Sequence, residues 1–205
     1  MARTPKITAG TWIDTARETL IEEGIAGVKV DRLANRLGVT RGGFYHNFRD
    51  RDDLLSQLID HWQATCRFLP DDAPGLKPAA AVDWFDRAIA RLIEADGYDY
   101  HFDLAVREWA RSDQRAAWAV ERADRERLQM LTRFFEIMGY GDEEALIRAR
   151  VFYYHQIGYY AIGVKQSIAE RRRALGTYLE ILCGHGVLAA ARTDNSRGRK
   201  ARATA

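Results

Sequence analysis

Apolar side chains recur every three or four positions along almost the whole chain, and alternating or short β-branched runs are nearly absent. That period matches the helical turn, not the pleat of a strand, so the expected fold is all-α with about nine helices. The first is expected over 8–23, with Thr8 as N-cap, Trp12, Ile13, Ala16 and Leu20 on one face, and Gly24 as its stop. A short helix at 30–37, a left-handed turn at Gly38 and a second short helix at 41–47 follow. Asp50 caps the fourth helix, where Asp52 and Asp53 complement the positive end of the helix dipole. Pro70, Pro74 and Pro78 then mark an irregular joint, beyond which helices are expected at 79–95, 100–112, 114–138, 143–168 and 170–191. Gly97, an N-cap at Asp113 and the turn Gly139 to Asp142 separate them.

With 205 residues, 47% of them hydrophobic, the chain can bury a core of one large or two small domains. No apolar run is long enough to span a membrane, and the start carries no apolar leader, so a cytoplasmic protein is expected. Cys66 and Cys183 stand far apart without metal-ligand spacing and read as small buried hydrophobes. The net charge of +2 identifies no partner, but its distribution is uneven. The stretch 192–205 holds five basic residues against Asp194 and reads as a disordered basic tail.

The segment 30–48, VDRLANRLGVTRGGFYHNF, has the layout of a helix-turn-helix. Ala34 is small where two helices touch, Gly38 turns the backbone, and Leu33, Leu37, Val39, Phe44 and Phe48 fix the crossing angle. Such a pair sets its second helix in the DNA major groove. Gly42 and Gly43 need an explanation there, because each glycine inside a helix costs about 1 kcal/mol relative to alanine. In the first turn of a reading helix they let the backbone settle against the sugar-phosphate wall and leave amide groups for phosphate oxygens. Thr40 is expected to cap that helix or bond a phosphate, and Arg41, Tyr45 and His46 are the side chains placed for base edges or backbone. The plain alternative is a glycine-rich turn between packed helices.

From Trp12 to Leu55 the chain resembles the DNA-binding domain of the TetR family of bacterial transcriptional regulators, in its apolar first helix ending at Gly24, in VDRLANRLGVTRGGFYHNF and in RDDLL. The resemblance implies an all-helical homodimer whose small-molecule effector changes the spacing of two DNA-binding heads, which must match major grooves about 34 Å apart. It implies an N-terminal three-helix DNA-binding domain at 1–50 and a larger ligand-binding and dimerisation domain at 51–191, with 51–69 as connector. It also implies that Tyr45 and Thr40 contact phosphates, and that Arg51 stands where the family has a phosphate-binding lysine. Lys29 replaces the usual Ser or Thr cap of the second helix and joins the DNA-facing set. The expected partner is a double-stranded DNA operator, and the expected mode is repression relieved by an effector of unknown identity.

Most aromatic residues lie after residue 61, as plain core or as the wall of an effector pocket. Trp62, Cys66, Phe102, Trp109, Tyr153 and Gln156 form the expected lining, with His101 or Arg107 available to an acidic ligand; Arg107 and Glu108 read equally as an exposed ion pair. The helix expected at 143–168 is apolar around most of its circumference and needs partners on two sides: its own domain core on one, and on the other a second subunit or, in a monomer, the rest of a core that buries it fully. No nucleophile elbow, phosphate loop, dinucleotide fingerprint or HExxH pair occurs, so no enzyme, metal or cofactor is expected. A helical interaction or ligand-binding protein without sequence-specific DNA binding is the competing reading.

Overall fold

A computed structural model describes residues 7–75, 77–94 and 98–191; the Gly97 break and the basic tail lie outside them. Eight α-helices and one 3₁₀ helix make up the architecture among the described residues. In chain order they are α1 (Ala9–Glu23), α2 (Val30–Arg36), the 3₁₀ helix (Arg41–His46), α3 (Arg51–Thr65), α4 (Pro78–Glu94), α5 (Tyr100–Ala110), α6 (Gln114–Ile137), α7 (Asp142–Ile162) and α8 (Ile168–Cys183). A single further helical turn occupies 187–191. None of these helices is long and apolar enough to cross a membrane.

The chain divides into two compact units, one of residues 1–66 with 99–123 and one of 67–98 with 124–205. In the first unit α1 packs on α2, α3 and α5. Trp12, Leu20, Leu33, Phe44, Leu54 and Leu58 are fully buried there, so each helix turns its apolar stripe inward. Thr8 and Asp50 cap α1 and α3 by accepting from the backbone of Thr11 and Asp53. Asp99 caps α5 by accepting from the Phe102 N–H at 3.1 Å, and also pairs with Arg17 of α1. Asp103 is fully buried, accepting from Trp62 Nε1 at 3.0 Å and Arg107 Nε at 2.9 Å. Arg107 therefore pairs with Asp103 rather than Glu108, whose neighbour is Arg111.

In the second unit α8 packs on α4 and α7. Phe85 stacks on Phe134 at 4.3 Å and tilts against Phe152 at 5.1 Å, which makes an aromatic centre of α4, α6 and α7. Buried tyrosines find partners: Tyr153 donates to Asp124 at 2.6 Å and Tyr160 to the Leu92 carbonyl at 2.7 Å. Cys66 and Cys183 are buried, each in its own unit, and form no disulfide.

Three helix ends differ from the expected ones. The helix from Asp142 stops at Ile162 instead of 168, because Gly163 takes a left-handed φ of 71°. A capping box of Ser167 and Glu170 then starts α8, which ends at Cys183 before Gly184, not at 191. The fourth helix ends at Thr65 instead of 69, well before the prolines, and 66–77 run without helix.

Candidate nucleic-acid interface

The 3₁₀ helix is anchored by one side chain. Phe44 is completely buried, meets Trp12 edge-on at 5.4 Å and stacks on Phe48 at 5.1 Å. Gly38 supplies the turn after α2 with φ of 66°, a conformation that side chains disfavour. With Phe44 pointing inward, Thr40, Arg41, Gly42, Tyr45 and His46 are left on the outer surface, and Gly43 is half-buried. An α-helix was expected over 41–47; the structure has the tighter 3₁₀ form over Arg41–His46, where the two adjacent glycines weaken the α-helical preference. Asn47 closes it, donating its side-chain amide to the Gly43 carbonyl at 3.0 Å.

The paired glycines are not required by packing. Neither has a left-handed φ, and a Cβ at Gly42 would meet only Thr40 Oγ1 at 3.7 Å, one at Gly43 only Val39 Cγ2 at 3.9 Å. Both distances are ordinary van der Waals contact. The fold would accept alanine at either place, so whatever favours glycine lies outside this chain's own core.

Arg41 and Tyr45 form one exposed polar group. Arg41 Nη2 donates to the Tyr45 hydroxyl at 3.2 Å, its guanidinium carbon lies 5.9 Å from the ring centre, and Asp31 stands 3.5 Å from Nη1. The Tyr45 hydrogen bond and the Asp31 charge push the Arg41 pKa further up, which keeps the cation at all relevant pH. Tyr45 remains 50% exposed. Thr40 holds the N-cap position, but its hydroxyl makes no capping bond, and both it and Lys29, before α2, are exposed. Of the two roles expected for Thr40, capping is therefore not the one it takes here.

Arg51 has a structural task that sequence reasoning missed. Its Nε donates to the Val28 carbonyl at 2.7 Å and Nη2 to the Ile25 carbonyl at 3.2 Å, tying the start of α3 to the α1–α2 connection. Glu22 pairs with Arg36 at 2.8 Å across α1 and α2.

The expected effector-lining residues divide between the units. Trp62, Cys66, Phe102 and Trp109 are core residues of the first, and Tyr153 and Gln156 belong to the second. Tyr153 is buried between Asp124 and Arg127, whereas Gln156 borders a cleft of about 50 Å³ formed by α4, α7 and α8. Helical spacing identified these side chains as inward-facing but carries no information about which helices share a cavity.

Residues 13–58 match the profile of the bacterial regulatory proteins of the tetR family. Over 51 residues the chain is 35% identical to the transposon Tn10 TetC protein of Escherichia coli, covering 25% of this chain and 26% of that protein. The chain thus matches about a quarter of the length of this curated relative. A crystal structure of a transcriptional regulator from Rhodococcus sp. Rha1 is similar over 90% of this chain and 94% of that one, with a TM-score of 0.53 at 19% identity, a likeness of fold. The likeness to the bacterial regulatory proteins of the tetR family thus lies on residues 13–58, the segment that carries the helix-turn-helix.

Proposed function

We propose that the protein is a homodimeric, ligand-responsive transcriptional regulator that binds an operator in double-stranded DNA and, as a repressor, releases it when a small molecule occupies the C-terminal domain. The observation that carries this reading is the outer surface around the 3₁₀ helix: Thr40, Arg41, Tyr45 and His46 surround two glycines that the fold does not need. Arg41 can form a bidentate pair with guanine, Tyr45, Thr40 and Lys29 suit phosphate oxygens, and Gly42 and Gly43 allow close backbone approach. Arg51 positions this surface and presents any phosphate contact from the same joint. In the proposed division, residues 1–50 read DNA, 51–69 connect, and 51–191 bind the effector and the second subunit.

Dimerisation is supported by α7 and α8. Ile147, Val151, Tyr154 and Ile162 make an exposed stripe on α7, with open space at Gly158, and Ile181 on α8 is 70% exposed. Apolar side chains at this spacing call for a helical partner, and a two-fold interface satisfies both copies at once. Effector binding would favour the arrangement in which the two heads no longer match successive grooves.

Recovery of genomic fragments by the purified protein tests the reading. A shared, two-fold symmetric motif whose binding weakens steeply with salt is expected. Retention of fragments without any common motif would instead favour a helical interaction protein that does not read sequence.

A further inference from the structure

The cleft in the second unit carries one formal charge and no acid. Ile89, Leu92, Phe152, Leu175 and Leu179 form its apolar floor, and His155, Gln156, Tyr159, Gln166, Arg171 and Tyr178 supply its polar groups. Arg171 is half-buried, and its hydrogen-bond acceptors are neutral: the Ile93 carbonyl at 3.2 Å from Nη1 and the Tyr160 hydroxyl at 3.3 Å from Nη2. Its guanidinium carbon lies 4.9 Å from the Tyr159 ring centre and 5.6 Å from that of Tyr160. No carboxylate pairs with it among the described residues, and Glu94, next to Ile93 in sequence, pairs with Arg172 instead. A half-buried cation beside apolar walls is stabilised by an anion that brings its own hydrogen-bond acceptors.

The neighbouring histidine is part of the same cleft. Burial and then the charge of Arg171 hold the His155 pKa below the ordinary imidazole range. At neutral pH the ring is uncharged, so it offers hydrogen bonding without adding a second cation. Burial disfavours a charge of either sign there, whereas the Arg171 charge, the smaller cause, disfavours a proton and favours an anion.

We infer that this cleft binds a compact organic carboxylate, its apolar or aromatic body on the leucine and isoleucine floor and its carboxylate on Arg171, with Gln156 and Tyr178 as further hydrogen-bond donors. The inference rests on the regulator reading only in calling this ligand the effector; the binding chemistry stands by itself. The enclosed part of the cleft, about 50 Å³, is smaller than a benzene ring requires, so an aromatic body lies partly in the open rim at Gln166 and Tyr178.

Benzoate and phenylacetate, their neutral isostere benzamide and cationic benzylamine are the probes, titrated into the full chain by calorimetry and by amide NMR. A carboxylate is expected to bind saturably with shifts at His155, Gln156 and Leu175, benzamide about tenfold or more weaker, and benzylamine not at all. Arg171→Gln should remove the preference for carboxylate over amide. Leu175→Trp, which fills the cleft and leaves Arg171 in place, should abolish binding of every probe while Tm is kept. Equal affinity for benzoate and benzamide, an unchanged preference in Arg171→Gln, or no binding of either acid at millimolar concentration would overturn the assignment. Carboxylate binding by a protein that recovers no operator motif would leave the cleft intact and sink the regulator reading; operator recovery without carboxylate binding would do the reverse.

Discussion

Trp62 donates its indole N–H to Asp103 Oδ1 at 3.0 Å, and neither side chain reaches solvent. The other carboxylate oxygen accepts from Arg107, so one buried acid links α3 to α5 and holds a cation on its own helix. Asp103→Ala removes both interactions and is expected to lower unfolding free energy by about 3 kcal/mol, as for a broken buried pair. Asp103→Asn keeps an acceptor for Trp62 and should cost less. Urea denaturation of the two variants checks the order.

Gly38 and Gly43 should respond in opposite ways to substitution. Gly38→Ala meets no steric neighbour but must adopt a φ of 66°, and is expected to cost about 1 kcal/mol. Gly43→Leu should leave Tm within a few degrees yet reduce operator affinity about tenfold or more, because its bulk faces the phosphate wall. Fluorescence anisotropy and thermal melts on the same samples separate the two effects; unchanged affinity in Gly43→Leu would rule out this account of the paired glycines.

Arg41 and Tyr45 touch each other, so their effects on DNA binding should not add. The double variant Arg41→Ala/Tyr45→Ala is expected to lose operator binding without unfolding, since both side chains are exposed. In single variants, a lost phosphate contact lowers the slope of log affinity against log salt by about 1, whereas a lost base contact relaxes sequence preference. Salt titrations on matched and mismatched duplexes tell which role each residue has.

His155 gives the fold a pH dependence of definite sign. Its pKa is lowered in the folded protein, by burial first and Arg171 second, so below about pH 6.5 the unfolded chain binds a proton that the folded one resists. Its contribution to stability is therefore present above that pH and is lost as pH falls. His155→Gln should flatten the decline in Tm between neutral and mildly acidic buffer; the same decline in both proteins would assign it to other groups.

Ile162 is 80% exposed and Ile181 70% exposed on the helices proposed to meet a second subunit. Ile162→Glu/Ile181→Glu should keep the helical content and convert a dimer to a monomer by sedimentation. Operator affinity should fall with it, because a single head binds without the second half-site.

Much of the head was legible because local chemistry fixes it. Thr8 and Asp50 accept with their side chains from backbone N–H groups three residues on, Gly38 acts through its own φ, and Phe44 and Phe48 stack on each other four residues apart. The later helices were less so. The capping box of Ser167 and Glu170 is visible in the sequence, yet the apolar run on either side of Gly163 extends the helical pattern across the break. The role of Asp103 is not legible in the sequence, since nothing local marks a carboxylate that will be met by a tryptophan 41 positions away. The expected effector lining is divided between the two units for a related reason: periodicity assigns a side chain to the inside, and only tertiary contact decides which inside.

Arg51 grips the carbonyls of Val28 and Ile25 from the first turn of α3. Both acceptors lie on the α1–α2 connection, so the start of α3 is tied to the segment that precedes α2 and the joint at 47–50 is bridged from outside. Any tilt of α3 carries the whole head like a plate on a spindle, and the contact surface keeps its shape while its direction alters. In the proposed regulator, control is then a matter of aim: the chemistry offered to DNA stays constant, and what varies is where it points.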